Sequence, residues 1–232
     1  MSNMFCYQCE QTAQGKGCTK FGVCGKEPEV AILQDLLVHA CKGISMYAHR
    51  ARLLGQHRRE SDVFVVEGLF TTVTNVNFDT ETLDALVRRA AAEKDAARQM
   101  YEKAAQAAGN IPDELAGPAR WEPAATRNEL VQQGATVGIE PHLADEGPDI
   151  TGLKELLLYG LKGTAAYADH ARILGREDDG VYAFFHEAMD FLTRADVSTD
   201  DVLGMVLRCG EVNLQVMGLL DAANTGAYGN PV

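Results

Sequence analysis

The chain has 232 residues, 46% of them hydrophobic, and a formal net charge of −12. That length suits one large or two small domains with a buried core, and the acidic balance disfavours nucleic acid, whose phosphates need clustered Lys and Arg. No export signal and no uninterrupted apolar run of the roughly 18–20 residues of a membrane span is visible, and six cysteines are too few and too clustered for a disulfide scaffold; the expectation is a cytoplasmic protein with no membrane partner.

The first element, residues 1–27, is a cysteine-rich segment. Cys6, Cys9, Cys18 and Cys24 follow the pattern C-x2-C-x8-C-x5-C, and the rest of the chain supplies only Cys41 and Cys209. A C-x2-C turn places two sulfurs on one metal or one cluster edge. Structural zinc takes two such tight pairs, or a pair plus two histidines. Here the second pair is stretched, and no histidine precedes His39. Iron–sulfur clusters tolerate asymmetric spacing, because a cubane presents four irons at separated corners. Gly15, Gly17, Gly22 and Gly25 let the backbone bend around Cys18 and Cys24, and Lys16, Lys20 and Lys26 bring positive charge. An iron–sulfur site is the favoured reading; zinc, a disulfide or unbound thiols are the alternatives.

The remaining elements are helical. In residues 28–108, Leu33, Leu36, Leu37, Ala40, Ile44 and Tyr47 recur at three- and four-residue steps, with Pro28 in the first turn and Gly55 at the stop. A second helix is expected at about 60–75, and a third from Asp79 or Thr80 to about Ala108. Residues 109–149 hold five of the seven prolines and read as a linker, anchored by the single tryptophan, Trp121. Residues 150–224 repeat the pattern: 150–174 stopped by Gly175, about 180–194, and 199–223 capped by Ser198. Residues 225–232 form a short terminal junction. Nothing alternates with period two, so the fold class is all-α, two tandem three-helix bundles behind an N-terminal cysteine loop.

The two bundles are related by duplication. LQDLLVHACKGISMYAHRARLLG (33–55) and LKELLLYGLKGTAAYADHARILG (153–175) share 11 of 23 positions at an offset of 120. VFVVEGLF (63–70) is set against VYAFFHEA (181–188), and 79–95 against 198–214. A residue needed for packing should have a like counterpart. Cys41 faces Leu161 and Cys209 faces Ala90, which reads as core; His39, His49 and His170 face Tyr159, Asp169 and Arg50, which reads as ordinary helix residues. The cysteine segment has no counterpart, so bundle packing does not explain it.

FCYQCEQTAQGKGCTKFGVCGK followed by LQDLLVHACKGISMYA, together with the C-terminal GLLDAANTGAYGNPV, resembles the hybrid cluster proteins, also called prismane proteins or hydroxylamine reductases. The resemblance covers essentially the whole chain. It implies an N-terminal domain of two three-helix bundles and a [4Fe-4S] cubane ligated by Cys6, Cys9, Cys18 and Cys24. It also implies two following α/β domains that hold a hybrid iron–sulfur–oxygen cluster, where hydroxylamine or nitric oxide is reduced. Those ligands are absent here, so the chain looks like a truncation at the family's domain junction.

The leading expectation is therefore an electron-transfer module, fed by a ferredoxin-like or NADH-linked redox donor, passing electrons toward the missing domains and alone inactive on hydroxylamine. A zinc-stabilised helical interaction module is the alternative. A third reading, a helical metal site at His186-Glu187-x-x-Asp190, lacks the second histidine of the metalloprotease pattern; the competing reading packs Phe184, Phe185 and Phe191 and leaves Glu187 solvated. Lys42-Gly43 and Lys162-Gly163 read as sites of close helix approach, and Arg58-Arg59 and Arg88-Arg89 as solvated faces.

Overall fold

A computed structural model describes residues 4–230. Among them it contains seven α-helices and no strand beyond one isolated bridge. The helices are α1 (Pro28–Leu53), α2 (Arg59–Thr71), α3 (Thr80–Ala107), α4 (Arg127–Gly134), α5 (Ile139–Ile173), α6 (Asp179–Phe191) and α7 (Thr199–Tyr228). The expected signals act as read. Pro28 opens α1, the Asp79 side chain accepts from the Glu81 N–H, and Ser198 caps α7 in a capping box with Asp201. Gly55 and Gly175 sit at φ +74° and +79° just past α1 and α5, a conformation that favours glycine.

Helix bounds recur at a spacing of 120 residues. α5 is broken at Gly147, and from Pro148 onward it matches α1; α6 matches α2. This corrects the register expected for the short helices. Phe64, Val65, Val66 and Leu69 correspond to Phe184, Phe185, His186 and Met189, and all eight are buried.

The grouping by chain order also changes. α1 lies along α3 and α5 along α7, but the short helices cross over: α6 packs on α1, and α2 packs on α5. Ion pairs follow the crossing. Arg50 and Arg52 of α1 bind Asp190 and Asp179 of α6, and Arg172 of α5 binds Glu67 of α2. One continuous apolar core runs through both repeats. The basic pairs are partly solvated and partly engaged: Arg59 and Arg89 are exposed, Arg59 pairing with Glu177, while the half-buried Arg88 donates to the Ala124 and Ala125 carbonyls.

Residues 109–149 are more ordered than a linker. Leu115, Ala119 and Leu130 are buried against the α1–α3 pair, and Trp121 packs on the core with its ring edge toward His39. α4 and the first two turns of α5 lie inside this stretch. Its prolines hid them, although Thr126-x-x-Glu129 is a complete capping box. At the other end α7 continues to Tyr228, into the expected junction. By length and composition α7 is apolar enough to cross a membrane, a feature that a search for uninterrupted apolar runs passes over; one face of it packs along α5.

Candidate metal centre

The cysteine segment is a loop whose parts converge on Cys18. Cys6 and Cys18 face each other across the isolated antiparallel bridge and exchange both backbone bonds, 3.0 Å from the Cys6 N–H and 2.8 Å from the Cys18 N–H. Residues paired in this way carry their side chains on one face. The turn after Cys9 closes through the Thr12 N–H to the Cys9 carbonyl (3.1 Å), and the Thr12 hydroxyl donates to the Cys6 carbonyl (3.0 Å). That hydroxyl is also 3.7 Å from the Cys18 sulfur, and the Ala13 N–H donates to the same sulfur at 3.4 Å. Cys24 sits in a turn held by the Gly22 N–H to the Lys26 carbonyl (2.8 Å), and the adjacent Val23 N–H is directed at Cys18 as well.

Donors aimed at sulfur favour a thiolate. Burial pushes the Cys18 thiol up, but the Val23 and Ala13 N–H groups, the Thr12 hydroxyl and the Lys26 charge together hold it below the ordinary range. Burial raises Cys6, against a Gln8 backbone bond and the Lys26 charge. All six cysteines are free thiols. Among the described residues no three His, Cys, Asp or Glu side chains converge as around a single metal ion.

Two glycines are required by close contacts. A Cβ on Gly17, at φ +140°, would lie 2.7 Å from the Phe5 ring, and one on Gly22 would lie 3.1 Å from the Cys24 sulfur. Of the three lysines, Lys16 and Lys20 are exposed, whereas Lys26 is buried and donates to Gln34 Oε1 at 2.6 Å.

The other candidates resolve into structure. Cys41 and Cys209 are buried, and burial pushes the Cys41 thiol up to about 12. Each fits against a glycine of a neighbouring helix, Cys41 on Gly68 and Cys209 on Gly160. His186 is buried, with Nδ1 3.0 Å from Ser45 Oγ and Nε2 2.8 Å from Asp62 Oδ1; Asp190 is buried and bound by Arg50 and Arg194. Glu187, expected in solvent, binds Arg208 at 2.6 Å. These three belong to separate pairings. His39, expected as an ordinary helix residue, lines a cavity, and burial with the nearby Lys42 lowers it to about 4. The sequence reading missed that cavity, which lies against Cys6 and carries Asp35, Lys42, Glu155 and Lys162 on its wall; the signal was present as an acid seven residues before each Lys-Gly in both repeats.

The prismane/CO dehydrogenase family matches residues 4–232. The chain is 54% identical to a hydroxylamine reductase of Rhodospirillum rubrum over 228 residues, covering 98% of this chain and 42% of that protein. It is 52% identical to a hydroxylamine reductase of Syntrophobacter fumaroxidans, covering 99% and 41%, and 47% identical to one of Geobacter sulfurreducens, covering 99% and 42%. The chain thus spans about two fifths of the length of these relatives.

Proposed function

The chain belongs to the prismane/CO dehydrogenase family, and on that premise we propose that it is an electron-transfer unit, with a [4Fe-4S] cluster held by Cys6, Cys9, Cys18 and Cys24. The observation that carries this reading is the convergence on Cys18. The bridge from Cys6, the turn after Cys9 and the turn around Cys24 all direct groups at one buried sulfur, and none of the four thiols is consumed in a disulfide. When bound, such a cluster supplies one-electron transfer at a potential set by burial, N–H···S bonds and nearby charge. The chain's own residues supply those settings. Ala13 and Val23 N–H groups stabilise negative sulfur, Lys26 places a fixed positive charge nearby, and the helical body holds the loop. The relatives' hydroxylamine reduction comes to this chain as the delivery of electrons from a redox donor protein in the cytoplasm toward a second, hybrid cluster.

Anaerobic purification followed by iron and acid-labile sulfide analysis, with EPR on the reduced protein, tests the reading. Four irons and four sulfides per chain and a reducible brown chromophore are expected. A colourless protein carrying one zinc would replace it with the interaction-module reading.

A further inference from the structure

The cavity against Cys6 lies between α1 and α5 and has about 40 Å³ open to water-sized molecules. A polar space of that size holds a few waters. Its charges come in repeat-related pairs: Asp35 and Lys42, seven residues apart on α1, and Glu155 and Lys162, 120 residues further on, on α5. Seven residues is close to two helical turns, so each acid and its lysine share a face. The duplication thus sets two like walls across one chamber.

These charges are held apart rather than joined. Among the described residues none of the four makes an ion pair. Lys162 is only 6% exposed, and its Nζ lies 6.0 Å from the Tyr159 ring centroid. An ammonium buried in this way is costly unless water and facing carboxylates solvate it. Asp35 Oδ2 lies against Gly138 at the start of α5, where a Cβ would be 3.0 Å away, so the carboxyl reaches from α1 to the facing wall.

We propose that this chamber is a proton-holding site coupled to the cysteine segment: when the iron–sulfur cluster that Cys6, Cys9, Cys18 and Cys24 would hold gains an electron, the Asp35 carboxylate takes up a proton through the cavity. The electron comes from the redox donor and the proton from bulk solvent. The bond formed is O–H on Asp35 and the bond broken is O–H of a hydrated proton from solvent, so the added negative charge beside Cys6 is neutralised. The proposal rests on the electron-transfer reading above.

The surroundings suit the exchange. Asp35 is faced by Cys6 and Lys26 of the cysteine segment, by His39 and Lys42 of its own helix, and by His142, Glu155 and Lys162 of α5. Burial pushes Asp35 up to about 7, with Lys162 opposing and Glu155 adding to the rise. Burial brings Lys162 down to about 8 against the pull of Asp35 and Glu155. Burial, with the Lys42 charge, keeps His39 and His142 below the ordinary imidazole range. A carboxyl raised and an ammonium lowered until their proton affinities nearly meet exchange protons at small free-energy cost.

The test is the midpoint potential of the iron-loaded chain against pH, with a reduced-minus-oxidised infrared difference spectrum. The potential is expected to fall with rising pH from an onset at or above about 7, approaching about 59 mV per pH unit, the tenfold change per unit of a one-electron couple. A protonated-carboxyl band should appear on reduction. Asp35→Asn should flatten the slope and remove the band. Lys162→Met, which takes away a charge that holds Asp35 down, should move the onset to higher pH. A potential independent of pH, or a slope kept in Asp35→Asn, overturns the proposal while leaving the electron-transfer reading intact. Failure of the native chain to assemble any cluster overturns both.

Discussion

Nε2 of His186 lies 2.8 Å from Oδ1 of Asp62 and so joins the short helix of one repeat to the short helix of the other. The same Asp62 takes Arg52 of α1 at 2.7 Å on its second oxygen, and His186 reaches Ser45 of α1 through Nδ1. Three helices are thus tied by one buried polar group set inside an apolar core. In the matching position of α2 stands Val66, equally buried, so the histidine is an addition that the fold itself does not demand.

Truncating His186 leaves Ser45 Oγ and Asp62 Oδ1 without their partner in the core. His186→Ala should cost about 3 kcal/mol, or roughly 6–12 °C in the thermal midpoint of a chain this long. Acid should act at the same place. Burial raises Asp62, but His186 and Arg52 together hold it below the ordinary carboxylate value. A depressed folded value gives stability that is present above about pH 4 and lost as pH falls through the folded value. Asp62→Asn should melt lower at neutral pH and lose less on acidification than the parent. Equal acid sensitivity of the two proteins in circular-dichroism melts would show that Asp62 plays no such part.

Much of this was legible in the sequence, and the remainder was not for identifiable reasons. Caps, glycine stops and periodicity place six helices because each signal is local. The crossing of α2 and α6 depends on which buried faces meet, and sequence spacing carries no record of it. α4 was obscured by Pro123 and Pro141 even though its capping box was in view. For the site, C-x2-C-x8-C-x5-C names the four thiols, yet the gathering of donors on Cys18 depends on the bridge to Cys6 and the turns on either side. The chamber was missed because Lys42-Gly43 and Lys162-Gly163 were explained by their glycines alone.

Those two glycines give a matched pair of substitutions. A Cβ on Gly43 would lie 2.4 Å from the Pro118 carbonyl oxygen, where residues 117–120 cross α1, whereas one on Gly163 meets nothing within 4 Å. The close approach expected at both positions exists at one, and it is made by the short 3-10 turn after α3 rather than by an α-helix. Gly43→Ala should destabilise by about 1–3 kcal/mol through overpacking. Gly163→Ala should be neutral or stabilise by up to about 1 kcal/mol, because alanine is the better helix former. Urea denaturation of the two variants side by side gives the comparison, and equal costs would mean that the two grooves are alike.

α7 carries a further asymmetry. Leu207 and Leu214 are 63% and 71% exposed on it, while at the same register of α3 stand Arg88 and Asp95. Arg88 binds Asp84 and the carbonyls of the segment that covers α3. Leu207→Arg and Leu214→Asp should each change the stability of the isolated chain by no more than about 0.5 kcal/mol, and together should reduce its tendency to self-associate in light scattering. A loss above 1 kcal/mol would place these side chains in contacts that the fold does not show.

The four-cysteine assignment makes a sharper distinction between sulfurs. Cys18 lies at the meeting point of three backbone segments and is held toward its thiolate form, whereas Cys41 is enclosed in the core, its thiol pushed up to about 12 by burial, with Gly68 against its sulfur. Cys18→Ala should abolish stable iron and sulfide incorporation, because three remaining thiolates leave one corner of the cubane open. Cys41→Ala should keep the full iron content and cost only about 1 kcal/mol for the small void left in the core. The pair is read by metal analysis on protein purified without oxygen, with a thermal melt to confirm that both variants fold. Full iron in Cys18→Ala, or its loss in a folded Cys41→Ala, would move the ligand set away from the N-terminal loop and end the case for it.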